Sequence, residues 1–282
     1  MKKRLIKILS IILIGVILLS AALFALYKTK GSDNYDNYDL SIYFFDAGKA
    51  DAILISKDDK YIMIDTGESS LGNEILQYFN KHNITRLEYL IITHFDKDHV
   101  GSASTIIDNI EIGEVLQSNS PKDSEFYTAY LNSLSQKSIT ATTISGTRSL
   151  AFGDINVSVN GPDDIYEKDE SNNSSLIVSF SYADKSFLFM GDSENQRIKD
   201  FIASNNQTYD FIKIPYHGNY LKQLDNLLEA TTPSYGVITC SAQEGGEDET
   251  LEVLNDFKIK YYKTSNGPIT VFSDGKEIKI RQ

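Results

Sequence analysis

Nine consecutive residues, Thr93-His94-Phe95-Asp96-Lys97-Asp98-His99-Val100-Gly101, limit what this chain can become more than any other stretch. They follow Leu87-Glu88-Tyr89-Leu90-Ile91-Ile92, an apolar, β-rich run bounded by polar residues, which reads as a buried strand. Beyond them, Ser102, Ala103, Ile106 and Ile107 have the small and apolar character of a starting helix. The turn therefore lies at the carboxyl end of a strand, where open α/β sheets place their chemistry. Within residues 94–99, His94, Asp96, Asp98 and His99 can each bind a metal. Packing two carboxylates and two imidazoles into one turn sets like charges against each other, and a divalent cation removes that conflict. The chain has only four histidines. Two of them falling here favours a metal site over an acidic surface turn.

Two later strand ends repeat the pattern. Ser186–Met190 reads as a strand that stops at Gly191-Asp192 before a helix over Glu194–Ala203. Phe211-Ile212-Lys213-Ile214 reads as a buried strand running into Pro215-Tyr216-His217-Gly218. Upstream, Ser41–Ala47, Ala52–Ser56 and Tyr61–Thr66 are β-rich segments between short polar turns, expected to form an antiparallel meander. Asn73–His82 has helical spacing through Ile75, Leu76 and Phe79, and His82 at its polar end reads as a surface residue. Further helices are expected over Phe126–Leu134, Leu221–Ala230 and Thr250–Phe257, and a strand over Ile139–Ile144. Cys240 is the sole cysteine, so no internal disulfide can form.

The amino terminus carries a different signal. Lys2, Lys3, Arg4 and Lys7 precede an uncharged apolar run, Ile8–Tyr27, whose 20 residues match the length of a membrane-spanning helix. Positive charge ahead of the run exceeds that after it, which orients the amino terminus to the cytoplasm and the rest outward. The expected organisation is a leader and anchor over 1–30, a polar linker over 31–39 and a catalytic body over 40–282. Cleavage after Ser20-Ala21-Ala22, giving a secreted body, is the alternative. Residues 31–282 hold 21 basic and 39 acidic residues, a formal charge of −18. That charge opposes a broad electrostatic grip on nucleic acid, whose affinity rests on Lys and Arg at phosphates. Extended nucleic-acid binding is expected to be weak, and no obligate protein partner is evident.

His-x-Asp-x-Asp-His-x-Gly after a hydrophobic strand resembles the metallo-β-lactamase superfamily, in particular the domain found in ComEC-type DNA-uptake proteins. Asp96 stands where the wider superfamily has its second histidine. Phe45-Asp46-Ala47-Gly48-Lys49-Ala50-Asp51-Ala52 resembles the family's Phe-Asp-Val-Gly-Gln-Gly-Asp-Ala, with Lys49 and Ala50 departing. Ile64-Asp65-Thr66-Gly67 matches its strand-end Asp-x-Gly, where Asp65 is expected to brace the loop without binding metal. Asn172-Asn173-Ser174-Ser175-Leu176 resembles the family's Asn-Asn-x-Ser-Leu, without the third histidine of the wider superfamily. Tyr216 replaces the first His of Lys-x-x-His-His-Gly, and 244–249 lacks the family's Tyr-Gly-His-Pro, leaving open whether Asp248 substitutes.

The resemblance implies a four-layer αββα sandwich carrying two divalent ions, zinc or manganese. His94, Asp96 and Asp192 would hold one ion; Asp98, His99, Asp192 and His217 would hold the other. Asp98, His99 and Asn173 would be the catalytic group, with Asn173 or Ser174 touching the metal water or substrate; the alternative is that this segment is only a capped loop entering a strand. The implied function is a membrane-anchored extracytoplasmic hydrolase using metal-activated water, with a phosphodiester as substrate. A small ester, lactone or β-lactam is the alternative within that class. From another class, an extracellular binding module could retain the fold without turnover.

Overall fold

In a computed structural model, residues 38–162, 166 and 170–282 are described. The Ile8–Tyr27 run lies outside them, and among the described residues no helix is long and apolar enough to cross a membrane.

The expected meander forms. β1 (Leu40–Phe44), β2 (Ala52–Lys57) and β3 (Lys60–Thr66) pair antiparallel. Their alternation decides which face each residue serves. Ile42, Phe44, Ile53, Ile55, Ile62 and Ile64 point into one core, while Leu54 and Met63 point into another. After α1 (Gly72–Lys81), β4 (Arg86–Ile92) joins β3 in parallel. The ligand-bearing turn then winds into α2 (Lys97–Val100), followed by α3 (Ala103–Asn109), β5 (Glu111–Gln117), α4 (Glu125–Gln136) and β6 (Thr142–Thr143).

β6 is shorter than the strand expected over Ile139–Ile144. Ser138 turns left-handed (φ 56°) and the Ile139 N–H donates to the Leu134 carbonyl at 2.9 Å, which spends the segment's first residues on stopping α4.

The second half runs β7 (Thr147–Phe152), β8 (Ile155–Asn160), α5 (Glu170–Asn173), β9 (Ile177–Tyr182), β10 (Lys185–Phe189), α6 (Asn195–Ser204) and β11 (Phe211–Lys213). It continues through α7 (Leu224–Thr231), β12 (Tyr235–Ile238), α8 (Asp248–Asp256) and β13 (Lys260–Lys263). β14 (Ile269–Ser273) and β15 (Ile278–Arg281) return to the first sheet beside β1. The sheet orders are β15-β14-β1-β2-β3-β4-β5-β6 and β13-β12-β11-β10-β9-β8-β7.

Three apolar clusters define the layers. One lies between the sheets, where Phe44 faces Phe189 and Phe211. A second joins the first sheet to α1, α3 and α4 through Ile75, Phe79, Ile106 and Tyr130. A third joins the second sheet to α6, α7 and α8 through Ile198, Leu227, Leu228 and Leu254. Each such buried side chain contributes about 1.5–3 kcal/mol. Helices thus cover the outer face of both sheets, as expected. β3, β4 and β5 are parallel, as are β10, β11 and β12, so ligand-bearing turns collect at carboxyl strand ends. The Leu176 N–H donates to the Thr93 carbonyl at 2.9 Å and ties the two halves together there.

Candidate metal centre

Asp65, at the end of β3, has no measurable exposure and takes a left-handed conformation (φ 54°). Its carboxylate accepts the Thr93 N–H at 2.7 Å, the Thr93 hydroxyl at 2.6 Å and the His99 Nδ1–H at 2.8 Å. Asp65 is thus the brace expected of it. Because a carboxylate accepts only, the proton of neutral His99 sits on Nδ1 and its Nε2 lone pair points away. His217 is fixed the same way from the other sheet: its Nδ1–H donates to the Thr239 carbonyl at 2.9 Å. The turn that carries His217 is tight, with Tyr216, His217 and Gly218 at φ 52°, 54° and 73°. The Gly246 and Glu247 N–H groups support it by donating to the His217 and Gly218 carbonyls, each at 2.9 Å. Segment 244–249 therefore shapes the site through its backbone, while Asp248 is exposed at the start of α8.

The two Nε2 atoms face each other at 3.3 Å. Asp192 Oδ2 lies 3.3 Å from His99 Nε2 and 3.1 Å from His217 Nε2, and Asp98 Oδ2 lies 3.5 Å from His217 Nε2. Asp98, His99, Asp192 and His217 thus form one group whose ligand atoms all lie within 4.8 Å of one another. Asp192 Oδ1 is buried without a hydrogen-bond partner. Four ligand-type atoms converging this closely, two carboxylate oxygens and two imidazole nitrogens, fit a divalent cation.

The electrostatics agree. Burial pushes the Asp98 and Asp192 acids up, but His217 and His99 outweigh it and hold both below the usual carboxylate range. Burial favours neutral His99 and His217, yet Asp192 with Asp65, and Asp192 with Asp98, draw their basicity above the ordinary histidine value. The site has excess negative charge, and two imidazolium rings at 3.3 Å would repel each other. One divalent cation relieves both problems.

His94 and Asp96 stand beside this group. His94 is fully buried, its ring centroid 4.0 Å from that of His99, and burial with the His99 neighbour brings its pKa down to about 4. His94 Nδ1 meets the hydroxyls of Thr93 (3.1 Å) and Ser175 (3.4 Å), while Nε2 has no hydrogen-bond partner and lies 3.8 Å from Asp96 Oδ1. Asp96 accepts from Lys122 and Ser171. Asn173 Oδ1 accepts the Arg197 N–H at 3.1 Å and so caps the first turn of α6. That bond, not the four-residue group, is where its carboxamide oxygen is placed.

Beneath the centre lies a pair that motif reading did not assign. Asp51 and Lys213 are both buried; Lys213 Nζ lies 2.5 Å from Asp51 Oδ2 and 3.6 Å from Asp192 Oδ1, and donates to the Gly191 carbonyl at 3.0 Å. Asp51 Oδ1 also accepts the Thr239 hydroxyl at 2.6 Å. Both residues stood in the quoted motifs, so their family positions were the available signal.

Residues 46–241 match the family described as the metallo-beta-lactamase superfamily. The chain is 26% identical to Recombination protein 2 of Haemophilus influenzae, over 69% of this chain and 23% of the relative. It is 21% identical to ComE operon protein 3 of Bacillus subtilis, over 79% of this chain and 32% of the relative. The matches cover only about a quarter to a third of these relatives' length. Among solved structures, the metallo-beta-lactamase fold protein YhfI of Bacillus subtilis superposes with a TM-score of 0.55 at 9% identity, covering 86% of this chain and 100% of that one. That likeness is one of fold.

Proposed function

This chain belongs to the metallo-beta-lactamase superfamily, and from that premise we propose a metal-dependent hydrolase whose substrate is a phosphodiester. The observation that carries the proposal is the convergence of Asp98, His99, Asp192 and His217, with both histidines locked in the tautomer that aims Nε2 inward. A divalent cation, zinc or manganese, would supply Lewis acidity at the scissile group and acidify a coordinated water. The chain's own residues prepare the place. Asp65 and the Thr239 carbonyl hold the rings, and Lys213 holds the far side of Asp192 through charge. Asp98 is the most open of the four, 21% exposed against 4% for Asp192. It therefore presents a carboxylate at the mouth, where it can orient an incoming water.

Two observations support a phosphodiester over a β-lactam: the aspartate at position 96, which resembles the ComEC-type pattern, and the similarity to Recombination protein 2 and ComE operon protein 3. A role beside DNA uptake follows as part of the same proposal, with long nucleic acid held weakly because residues 31–282 carry a formal charge of −18. Turnover should be measured on the metal-loaded chain with bis-p-nitrophenyl phosphate, single-stranded DNA, a lactone and a chromogenic cephalosporin. Metal-dependent cleavage of the first two is the expected result. Lactone or cephalosporin turnover without phosphodiester cleavage would replace the substrate class, and bound metal with no turnover at all would favour a binding module.

The proposed setting is a membrane anchor over residues 1–30, a linker over 31–39 and the hydrolase body over 40–282, outside the cytoplasm. Protease added to intact cells is expected to release the body. Full protection on an accessible cell surface would reverse this orientation.

A further inference from the structure

Asp96 was expected to bind metal, yet its neighbourhood is already occupied by positive charge. Lys122 Nζ lies 2.5 Å from Asp96 Oδ1, and the Ser171 hydroxyl donates to the same oxygen. Lys122 comes from the segment between β5 and α4, and Ser171 from α5 in the other half of the fold. Two separate parts of the chain therefore converge on one carboxylate oxygen. His94 Nε2, 3.8 Å from that oxygen, is buried and has no hydrogen-bond partner. The His94–Asp96 half thus has the ligand types for a cation, with an ammonium group already at its carboxylate.

Charge bookkeeping distinguishes the two halves. The four-residue group offers two carboxylates and two neutral imidazoles, enough to balance one divalent ion. The other half adds one carboxylate, and that one is paired with Lys122. A second divalent ion would have to enter beside both the first ion and the ammonium, where like charges a few ångströms apart repel strongly. Lysine suits a displaceable stand-in, being a compact charge on a flexible stem, and its side chain here is 39% exposed, with room to swing outward.

We infer that Lys122 acts as a resident cation in place of a second metal, so that the centre takes one ion tightly and admits another only when Lys122 leaves Asp96. This rests on the metal-centre reading above. The test is metal stoichiometry, which does not depend on substrate or turnover. The full chain, stripped with chelator, is titrated calorimetrically with manganese and with zinc, and bound ions are counted by elemental analysis. The native chain should bind one ion tightly and a second at least about 100-fold more weakly. Lys122→Met should bring the second affinity to within about tenfold of the first, whereas Lys122→Arg, which keeps the charge, should stay at one ion. Two ions of similar affinity in the native chain, or one ion in Lys122→Met, would overturn the inference and leave the metal centre standing. No bound ion in any of the three would remove the metal-centre reading, and this inference with it.

Discussion

Lys213→Met is expected to lower the unfolding free energy by about 3–5 kcal/mol, because it leaves Asp51 as an unpaired charge in the interior. Both residues are buried and lie 2.5 Å apart, so the variant leaves the carboxylate in the interior without its ammonium. Burial alone drives the Asp51 acid up; Lys213, then His217 and His99, reverse that and hold it below the usual carboxylate value. The sign of the pH dependence follows. A carboxylate depressed in the folded state contributes stability that is present above its unfolded pKa and is lost as the pH falls through the folded value. In the variant Asp51 loses the first of those partners and its carboxyl is less depressed than in the native chain, so it protonates earlier on acidification and the buried charge disappears. The gap between native and variant is therefore widest at neutral pH and narrows in acid. Urea denaturation of the metal-free proteins at several pH values measures it. Asp51→Asn combined with Lys213→Met should destabilise by much less than the sum of the single changes, since neither charge is then stranded. A single-variant loss below about 1 kcal/mol would mean the pair is more hydrated than its burial indicates.

The second large effect is expected from Asp192→Ala. Asp192 Oδ2 reaches the Nε2 atoms of both imidazoles, at 3.3 and 3.1 Å, so removing it takes away a carboxylate that faces both inward nitrogens. Losing even an outer partner of a metal ligand weakens binding about 10–100-fold. Losing Asp192 should exceed that range for metal affinity and abolish hydrolysis. The fold should survive, because Lys213 keeps its pairing with Asp51 and its bond to the Gly191 carbonyl. Calorimetric metal titration, with circular dichroism to establish folding, checks this. Affinity within tenfold of native would place Asp192 outside the centre.

How much of this was legible in the chain depends on the range of the interaction. Alternating residues of β1 to β3 declared their two faces, and the ligand types at 94–99, 192 and 217 declared themselves because each follows a short apolar strand. The brace role of Asp65 came from its family position, and three buried hydrogen bonds now account for it.

By itself, then, the sequence determined the elements and the ends at which chemistry could sit, since strand period, turn residues and ligand type are local properties. Only the tertiary structure decided which of those ligands meet. Thr239 lies 188 residues from Asp51 yet donates to it at 2.6 Å, and Ser175 lies 81 residues from His94. Lys122, 26 residues beyond Asp96 on a segment with no motif, donates to that carboxylate, while Asp98, His99, Asp192 and His217 gather as one group. The physical reason is that charge pairing in a buried site is set by which strand ends two sheets bring together when they close on a common core. That closure is a property of the packed chain and of no single segment.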